Sequence, residues 1–535
     1  MVQFDGLTEH RGPIELKVKG NIPVWAVGSL YRTGPSECKV EDTKSGTFNV
    51  SHWFDGLAHT HRFDIVAEDG DGDGDGDGDT AEPAVRVYYS SRRQCDELTA
   101  DIKAAGTLRS MSFAQKLDPC VGIFGKLMTV FNKRPSLTNI GVTVGTDVPS
   151  FKAPAGAVVD AQGHRTASVV LGTDAAVMCE IDPKSMEPIS FPQHTRFHPD
   201  LKGPMAAAHG KVDPETGDYV NFNLGFRKQP VYRVFQVSAA TGKTKILAAI
   251  PSEAAYIHSL FLTRNHVVLC VPVAHYQWKG ARILWEGNLL DSLKPFDPAE
   301  PCRWFVVDRH HNKGVVAEFA SPAGFFFHTV NAFEGDDGDI FCEVINYPNR
   351  HIIDGFYYDV LLDRRNAAAQ FWVTSQATHQ SFPFLTRYRL PKAAFTTTTI
   401  PPPAPKIIFQ IPPPHVGDMP VINPRFRARR HRYVYVLVNR ALSTLFDAIV
   451  KFDTDTREVL QWEGPRGHTP GEAIFVPRPG EDAEDDGVLL SVVLDGENRT
   501  SYLLCLDART MAEVGRAECG FAIAFGLHGR HVPAV

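Results

Sequence analysis

No run of apolar residues in this 535-residue sequence approaches the ~20 that a membrane-spanning helix needs; the stretch at 267–273 is among the longest. The opening residues, MVQFDGLTEHRGPIELKVKG, contain no apolar segment of the secretory kind. The nine cysteines (38, 95, 120, 179, 270, 302, 342, 505 and 519) include no CxxC pair. Their odd number and wide spacing fit neither a thiolate zinc site nor a disulfide framework. Isolated thiols suit a reducing compartment, so the expectation is a soluble, cytoplasmic chain, with peripheral membrane contact and oligomeric state left open. Concentrated charge is missing too. A formal net charge of -7 is spread over mixed acidic and basic residues without an arginine- and lysine-rich stripe, which argues against a nucleic-acid partner. No glycine fingerprint for a dinucleotide follows a strand. Long helical apolar periods are scarce, and the segment at 95–131 is the best helical candidate.

What the chain has in quantity is strand signal. With 43% hydrophobic residues it can fill a large core, and short runs such as TASVVLGT, HVVLCVPV, RYVYVLV and GVLLSVVL alternate with turn formers. A loose repeat recurs: a strand end, an Asp or Ser, a polar turn, then a new strand. It appears in IDPKSMEP, VDPETGDYV, VSAATGKT, VDRHHNKGVV, FDTDTREV and LDARTMAEV. Such turns close hairpins, and repeated hairpins without crossover helices predict a β-propeller, ahead of a pair of β-sandwiches. The Asp/Gly run at 69–79 has no side chain able to pack and matches no calcium-loop pattern, so it is expected to be a disordered acidic insertion. The stretch TTTTIPPPAPK at 396–406 reads as a polyproline-like excursion.

Among 21 histidines, four lie in apolar or small-residue surroundings where an unpaired imidazole is unfavourable. His209 ends MAAAH, His258 ends AAYIH, His328 closes GFFFH and His528 lies in FGLHG. Taken singly, each reads most simply as a satisfied core histidine. Separations of 49, 70 and 200 residues exclude one helix or loop as their scaffold, whereas blades around one axis would gather them. As a set, four neutral imidazoles suit iron(II), zinc or copper, and the residues alone leave that choice open. On an octahedral ion they would leave two positions free, which suits O2 beside a substrate.

Longer blocks carry a specific resemblance. GNIPVWAVGSLYRTGPS from Gly20, HWFDGLAHTHRF from His52, AAAHGKVDPETG, YIHSLFLT, FFFHTVNAFE and GEAIFVPRPGEDAEDDGVLLSVVLD with the terminal LHG occur in order. Through these blocks the chain resembles the carotenoid cleavage oxygenase family over nearly its whole length. The resemblance implies an all-β fold, a seven-bladed β-propeller with a helical or loop cap over an axial iron site. It implies one domain over 1–535, with the cap built from about 95–135 plus other loops. It implies Fe(2+) held by His209, His258, His328 and His528, O2 as co-substrate, and no organic cofactor. It also implies three carboxylates behind the ligands, each accepting the second N–H of an imidazole and fixing its tautomer. Glu472, in PGEAIFV, matches one glutamate. The other two positions fall on Asp174 and Asp418, where the arm is one methylene shorter, so a shifted strand or a bridging water is expected. An ordinary turn role for both aspartates stays open. His59 and His61 have the spacing of a metal pair, but their motif does not ligate in the family, and they are read as structural.

The family splits conjugated alkenes into two carbonyl products with O2, and one branch isomerises instead. YYSSRRQCDELTADI, FGKLMTVF and NPRFRARRHRYVY resemble a fungal set that includes torulene- and retinal-forming enzymes. Stilbenoid cleavers grip a phenolic oxygen with a tyrosine and a lysine. Here Arg93 stands at the tyrosine's place, and Lys133 matches the lysine under a shifted alignment. Phe327 and Lys133 are the candidate substrate contacts, and 34 phenylalanines suit an aromatic-lined tunnel for a small hydrophobic alkene. The chain is compact and has no amphipathic dipping helix beyond IFGKLMTVF. The leading expectation is therefore an aromatic alkene (a phenylpropenoid, vinylphenol or stilbenoid), with a carotenoid or apocarotenoid as the alternative. A propeller that binds a ligand without catalysis is the remote one.

Overall fold

Short β-branched and aromatic runs between turn formers become strands along the whole chain, and they assemble as an all-β, propeller-like set of antiparallel sheets. The computed structural model describes residues 4, 7–68, 85–116, 134–146, 148–149, 168–226, 228–374, 381–396, 401–440, 442–443 and 445–534. The Asp/Gly run at 69–79, the cap segment at 117–133 with Lys133 and IFGKLMTVF, and residues 397–400 of the polyproline-like stretch lie outside them.

Five sheets are four-stranded meanders that pair consecutive strands, as short hairpin turns require. The first runs Thr143–Thr146, Val169–Gly172, Cys179–Ile181 and Pro188–Ser190; the fifth runs Asp418–Val421, Tyr433–Val438, Ala448–Asp453 and Val459–Glu463. A ten-stranded sheet joins the two ends of the chain. In it, Ile14–Gly20 pairs with Glu513–Glu518, and Gly28–Glu37 pairs with the final strand His528–Pro533.

The recurrent turn has one local geometry. Asp182, Asp213, Asp453 and Asp507 each accept, through Oδ1, the backbone N–H groups two and three residues on. The residue four positions on has positive φ in every case: Met186 59°, Gly217 73°, Arg457 71° and Met511 62°. The left-handed residue closes the loop with a hydrogen bond from its N–H to the carbonyl of the aspartate. A short side chain with an acceptor oxygen is thus what the repeat selects, and Ser238 serves in the same way, accepting from Thr241 N ahead of the left-handed Gly242.

The helical expectation holds only in part. Asp96–Ala105 is an α-helix, and it ends where Gly106 turns left-handed at φ 75°. Beyond it the described chain is irregular up to residue 116. The largest apolar cluster runs from Met205 through Val267, Leu269 and Phe305 to Val450, uniting several sheets. Full burial of each such side chain is worth about 1.5–3 kcal/mol. Among the described residues, no helix is long and apolar enough to cross a membrane.

Candidate metal centre

Four sheets deliver one histidine each, at the same step of the chain path. His209 precedes strand Lys211–Val212, His258 precedes Phe261–Leu262, His328 abuts Thr329–Glu334, and His528 begins His528–Pro533. Each of these is the edge strand of its sheet. The backbone ties two of the turns together, His209 N donating to His258 O at 3.2 Å.

The side chains converge. His209 Nε2 and His328 Nε2 each lie 3.1 Å from His528 Nε2, and one ring nitrogen from each of the four falls within 4.8 Å of the others. Adjacent ligand nitrogens at about 2.1 Å from one ion would sit about 3.0 Å apart. The opposite ring nitrogens fix the tautomer. His258 Nδ1 lies 2.9 Å from both oxygens of Asp174, His328 Nδ1 2.7 Å from Asp418 Oδ1, and His528 Nδ1 2.8 Å from Glu472 Oε1. Carboxylate acceptors at Nδ1 assign the proton there, which leaves the Nε2 lone pairs of His328 and His528 facing each other. Only a cation between them makes that arrangement favourable. The donor set fits a borderline divalent metal.

The carboxylates are held in turn. Asp174 Oδ2 accepts from the Tyr256 hydroxyl at 2.9 Å, and Asp418 Oδ2 from the Tyr347 hydroxyl at 2.6 Å. Glu472 Oε2 accepts from Gly529 N at 2.9 Å, while Arg32 clamps the Glu472 carbonyl at 2.8 Å. Both aspartates therefore reach their imidazoles directly, and neither is a free turn residue. Met419 has φ 56°, a strained setting for a non-glycine residue, and it turns the chain immediately after Asp418.

Electrostatics suit ligation. Burial lowers the His209 imidazole well below its usual range, aided by the neighbouring imidazoles of His528, His258 and His328. Burial also takes His328 down to about 4, against the opposing pull of Asp418. Burial works to raise Asp418 and Glu472, but the facing His328 and His528 outweigh it and hold both carboxyls below their ordinary range. A lowered proton affinity at His209 and His328 and at the carboxyls of Asp418 and Glu472 favours the deprotonated forms that metal binding demands.

Two cavities meet at the cluster, both touching His328 and His528. The first, of about 530 Å³, also reaches His258 and is walled by Phe54, Phe113, Phe327 and Phe356. The Phe327 ring centroid stands 5.8 Å from those of His258 and Phe54. The second, of about 470 Å³, reaches His209 and carries Lys211, Arg427 and Arg530.

Other candidates fall elsewhere. His59 and His61 are buried with ring centroids 4.3 Å apart, and His61 Nδ1 lies 2.8 Å from the Tyr89 hydroxyl. Among the described residues they join no group of three metal-capable side chains. Arg93 pairs with Glu37 at 2.6 Å and donates to the Leu7 carbonyl. Sequence reasoning missed Tyr256 and Tyr347. Tyr256 was within reach, since it lies two residues before His258, and that spacing brings its hydroxyl within 3.2 Å of His258 Nδ1. Tyr347 had no such cue.

The profile of the family described as RPE65, retinal pigment epithelial membrane protein, matches residues 3–533. A carotenoid dioxygenase of Neurospora crassa is 49% identical over 99% of this chain and 90% of its own length. A torulene dioxygenase of Gibberella fujikuroi is 48% identical over 99% of this chain and 93% of its own. Among solved structures, a mutant Synechocystis apocarotenoid oxygenase matches at TM-score 0.73 and 20% identity, covering 100% of this chain and 98% of that one. The cobalt-substituted Synechocystis protein matches at TM-score 0.72 and 21% identity, with the same coverage. At that identity the likeness speaks to the fold. The fungal relatives overturn the expectation of an aromatic alkene as lead substrate and favour the carotenoid alternative. A compact chain says nothing about the length of an internal cavity, and Arg93 is occupied by Glu37 and Leu7 rather than placed to grip a phenol.

Proposed function

The chain belongs to the family of the retinal pigment epithelial membrane protein, the carotenoid oxygenases, and from that premise we propose that it is an iron(II) dioxygenase that cleaves one conjugated double bond of a carotenoid into two carbonyl products. The observation that carries this reading is the convergence of four imidazoles, three backed by carboxylates, at the end of a cavity walled by phenylalanine. His209, His258, His328 and His528 would hold the metal, and Asp174, Asp418 and Glu472 would keep each Nδ1 proton in place. When bound there, iron(II) supplies the redox centre at which O2 and the alkene react. The protein's part is orientation and dryness. Phe54, Phe327 and Phe356 offer ring faces and edges to a flat polyene and keep water from it.

The finer architecture belongs to the same reading. Taken as two further blades joined through Ile14–Gly20, the ten-stranded sheet supports a seven-bladed ring in one domain. Part of its cap would be the segment at 110–116, which Asp55 anchors by accepting Phe113 N at 2.6 Å and Ala114 N at 2.7 Å.

The test is turnover of torulene, β-carotene and an apocarotenal by iron-loaded protein under labelled O2, with the aldehydes trapped before they exchange with water. One label in each carbonyl fragment is expected, with no nicotinamide, flavin or 2-oxoglutarate added. Label in a single fragment, or no turnover of any of the three, overturns the proposal.

A further inference from the structure

A single buried guanidinium spans the two loops that fix the fourth imidazole. Arg32 is 2% exposed, and it donates from Nη1 to the Glu472 carbonyl and from Nη2 to the Gly526 carbonyl, each at 2.8 Å. Glu472 precedes strand Ile474–Pro477, whereas Gly526 lies two residues before His528. The same two loops meet again at the ligand, where Glu472 accepts from His528 Nδ1 with one oxygen and from Gly529 N with the other. Arg32 thus closes a ring of hydrogen bonds that runs through the Glu472 backbone, its carboxylate, Gly529 and Gly526. The strands repeat the tie, since Arg32 is the register partner of Gly529 and Leu527 N donates to the Thr33 carbonyl at 2.9 Å. The backbone leaves room for the fork. A Cβ on Gly471 would stand 2.7 Å from Arg32 Nη2, and one on Gly526 would stand 3.1 Å from Nε and Nη2. Neither glycine has the left-handed φ that would call for glycine on conformational grounds, so the close approach of Arg32 accounts for both.

We propose that Arg32 is a positioning residue of the metal centre, which aims the His528 imidazole by locking the Glu472 loop to the chain just before His528; the assignment rests on the metal-binding reading above. It touches neither metal nor substrate. A guanidinium holds its donors in one rigid plane and so fixes two carbonyls relative to each other, whereas a lysine ammonium is a single atom on a flexible stem. The direction of a ligating imidazole is set by the hydrogen bond at its other nitrogen. A shift of the Glu472 loop therefore re-aims His528 Nε2, which stands 3.1 Å from Nε2 of both His209 and His328. Because His528 is the shared neighbour of those two, a small turn of its ring alters the geometry of the whole donor set.

Cobalt(II) in place of iron reads the ligand geometry through its visible ligand-field bands, without substrate or turnover. The full chain is loaded with cobalt and compared with Arg32→Lys and, as a control, Arg387→Lys. Arg387 is also buried, but it pairs with Glu343 and donates to Thr454 at 3.3 Å, and neither partner is bonded to a histidine of the cluster. In Arg32→Lys the bands should shift and the cobalt dissociation constant should rise about 10-fold, the lower end of the range for outer partners of a ligand. Arg387→Lys should leave both unchanged. Arg32→Met gives a second variant should Arg32→Lys fail to fold, with circular dichroism as the check. Wild-type bands and affinity in a folded Arg32 variant overturn the proposal, as does an equal change in Arg387→Lys; in either case the wild type still binds cobalt and the metal reading stands. A wild-type chain that binds no cobalt overturns the metal reading and this proposal with it.

Discussion

Two cavities share His328 and His528, and they differ in everything else that decides what they hold. On the His258 side, phenylalanines make the wall, and two of its carboxylates, Asp174 and Asp418, are each bound to an imidazole and a tyrosine hydroxyl. On the His209 side, three cations stand with one carboxylate, and no aromatic ring cluster dominates. An axial site built from sheet edges has two faces, so one ligand set can adjoin an apolar compartment and a polar one. Burial lowers the proton affinity both of His209, which touches the second cavity, and of His328, which touches both.

The largest expected effect comes from the cluster that both compartments share. His258→Ala should remove metal and turnover together, by more than the ~10–100-fold typical of outer partners, while the circular dichroism of the sheets persists. Retained iron with normal turnover in that variant would break the comparison at its root. Next comes the outer layer. Glu472→Gln should lower metal affinity or activity by about 10–100-fold. Tyr347→Phe, which removes one of the three hydrogen bonds to Asp418, should cost about fivefold, the factor for roughly 1 kcal/mol. Equal losses in the two variants would mean that the tyrosine does more than hold a carboxylate. Phe327→Ala sharpens the contrast between the walls. It should raise KM for a carotenoid and lower stability by about 3–5 kcal/mol while metal content is maintained, as metal analysis and thermal melting would report. The smallest effect should come from deleting the Asp/Gly run at 69–79, whose side chains are all charged or absent. A stability change within about 0.5 kcal/mol is expected, and a large loss rescued by calcium would contradict it.

The sequence displayed the strands and the hairpin turns clearly, because both are local. The alternation of β-branched runs with Asp-led turns is a property of ten residues at a time, and Asp182, Asp213, Asp453 and Asp507 all formed the loop that such turns imply. The four histidines stood out through their apolar contexts, and their order along the chain carried the family resemblance. Asp174 and Asp418 were harder to judge, because an arm one methylene short is compatible with contact only if the backbone approaches. That approach depends on features such as the left-handed Met419, which the residue type does not announce. The cationic cavity was invisible for a related reason. Lys211, Arg427 and Arg530 are far apart in sequence, and each looks like a surface charge until the sheets bring them to one wall. The aromatic-alkene expectation failed because compactness and a missing amphipathic segment, its grounds, concern the outside of the molecule.

The pairing of Gly28–Glu37 with His528–Pro533 has a consequence for how the cluster comes together. Thr33 is the register partner of His528, so two strands from distant parts of the sequence must meet before the fourth imidazole is in place. Without that pairing the cluster has three members. A chain cut before His528 would keep most of its sheets yet lose this imidazole and the seam that holds it. Completion of the cluster is thereby tied to a long-range closure, with these two strands acting as the clasp.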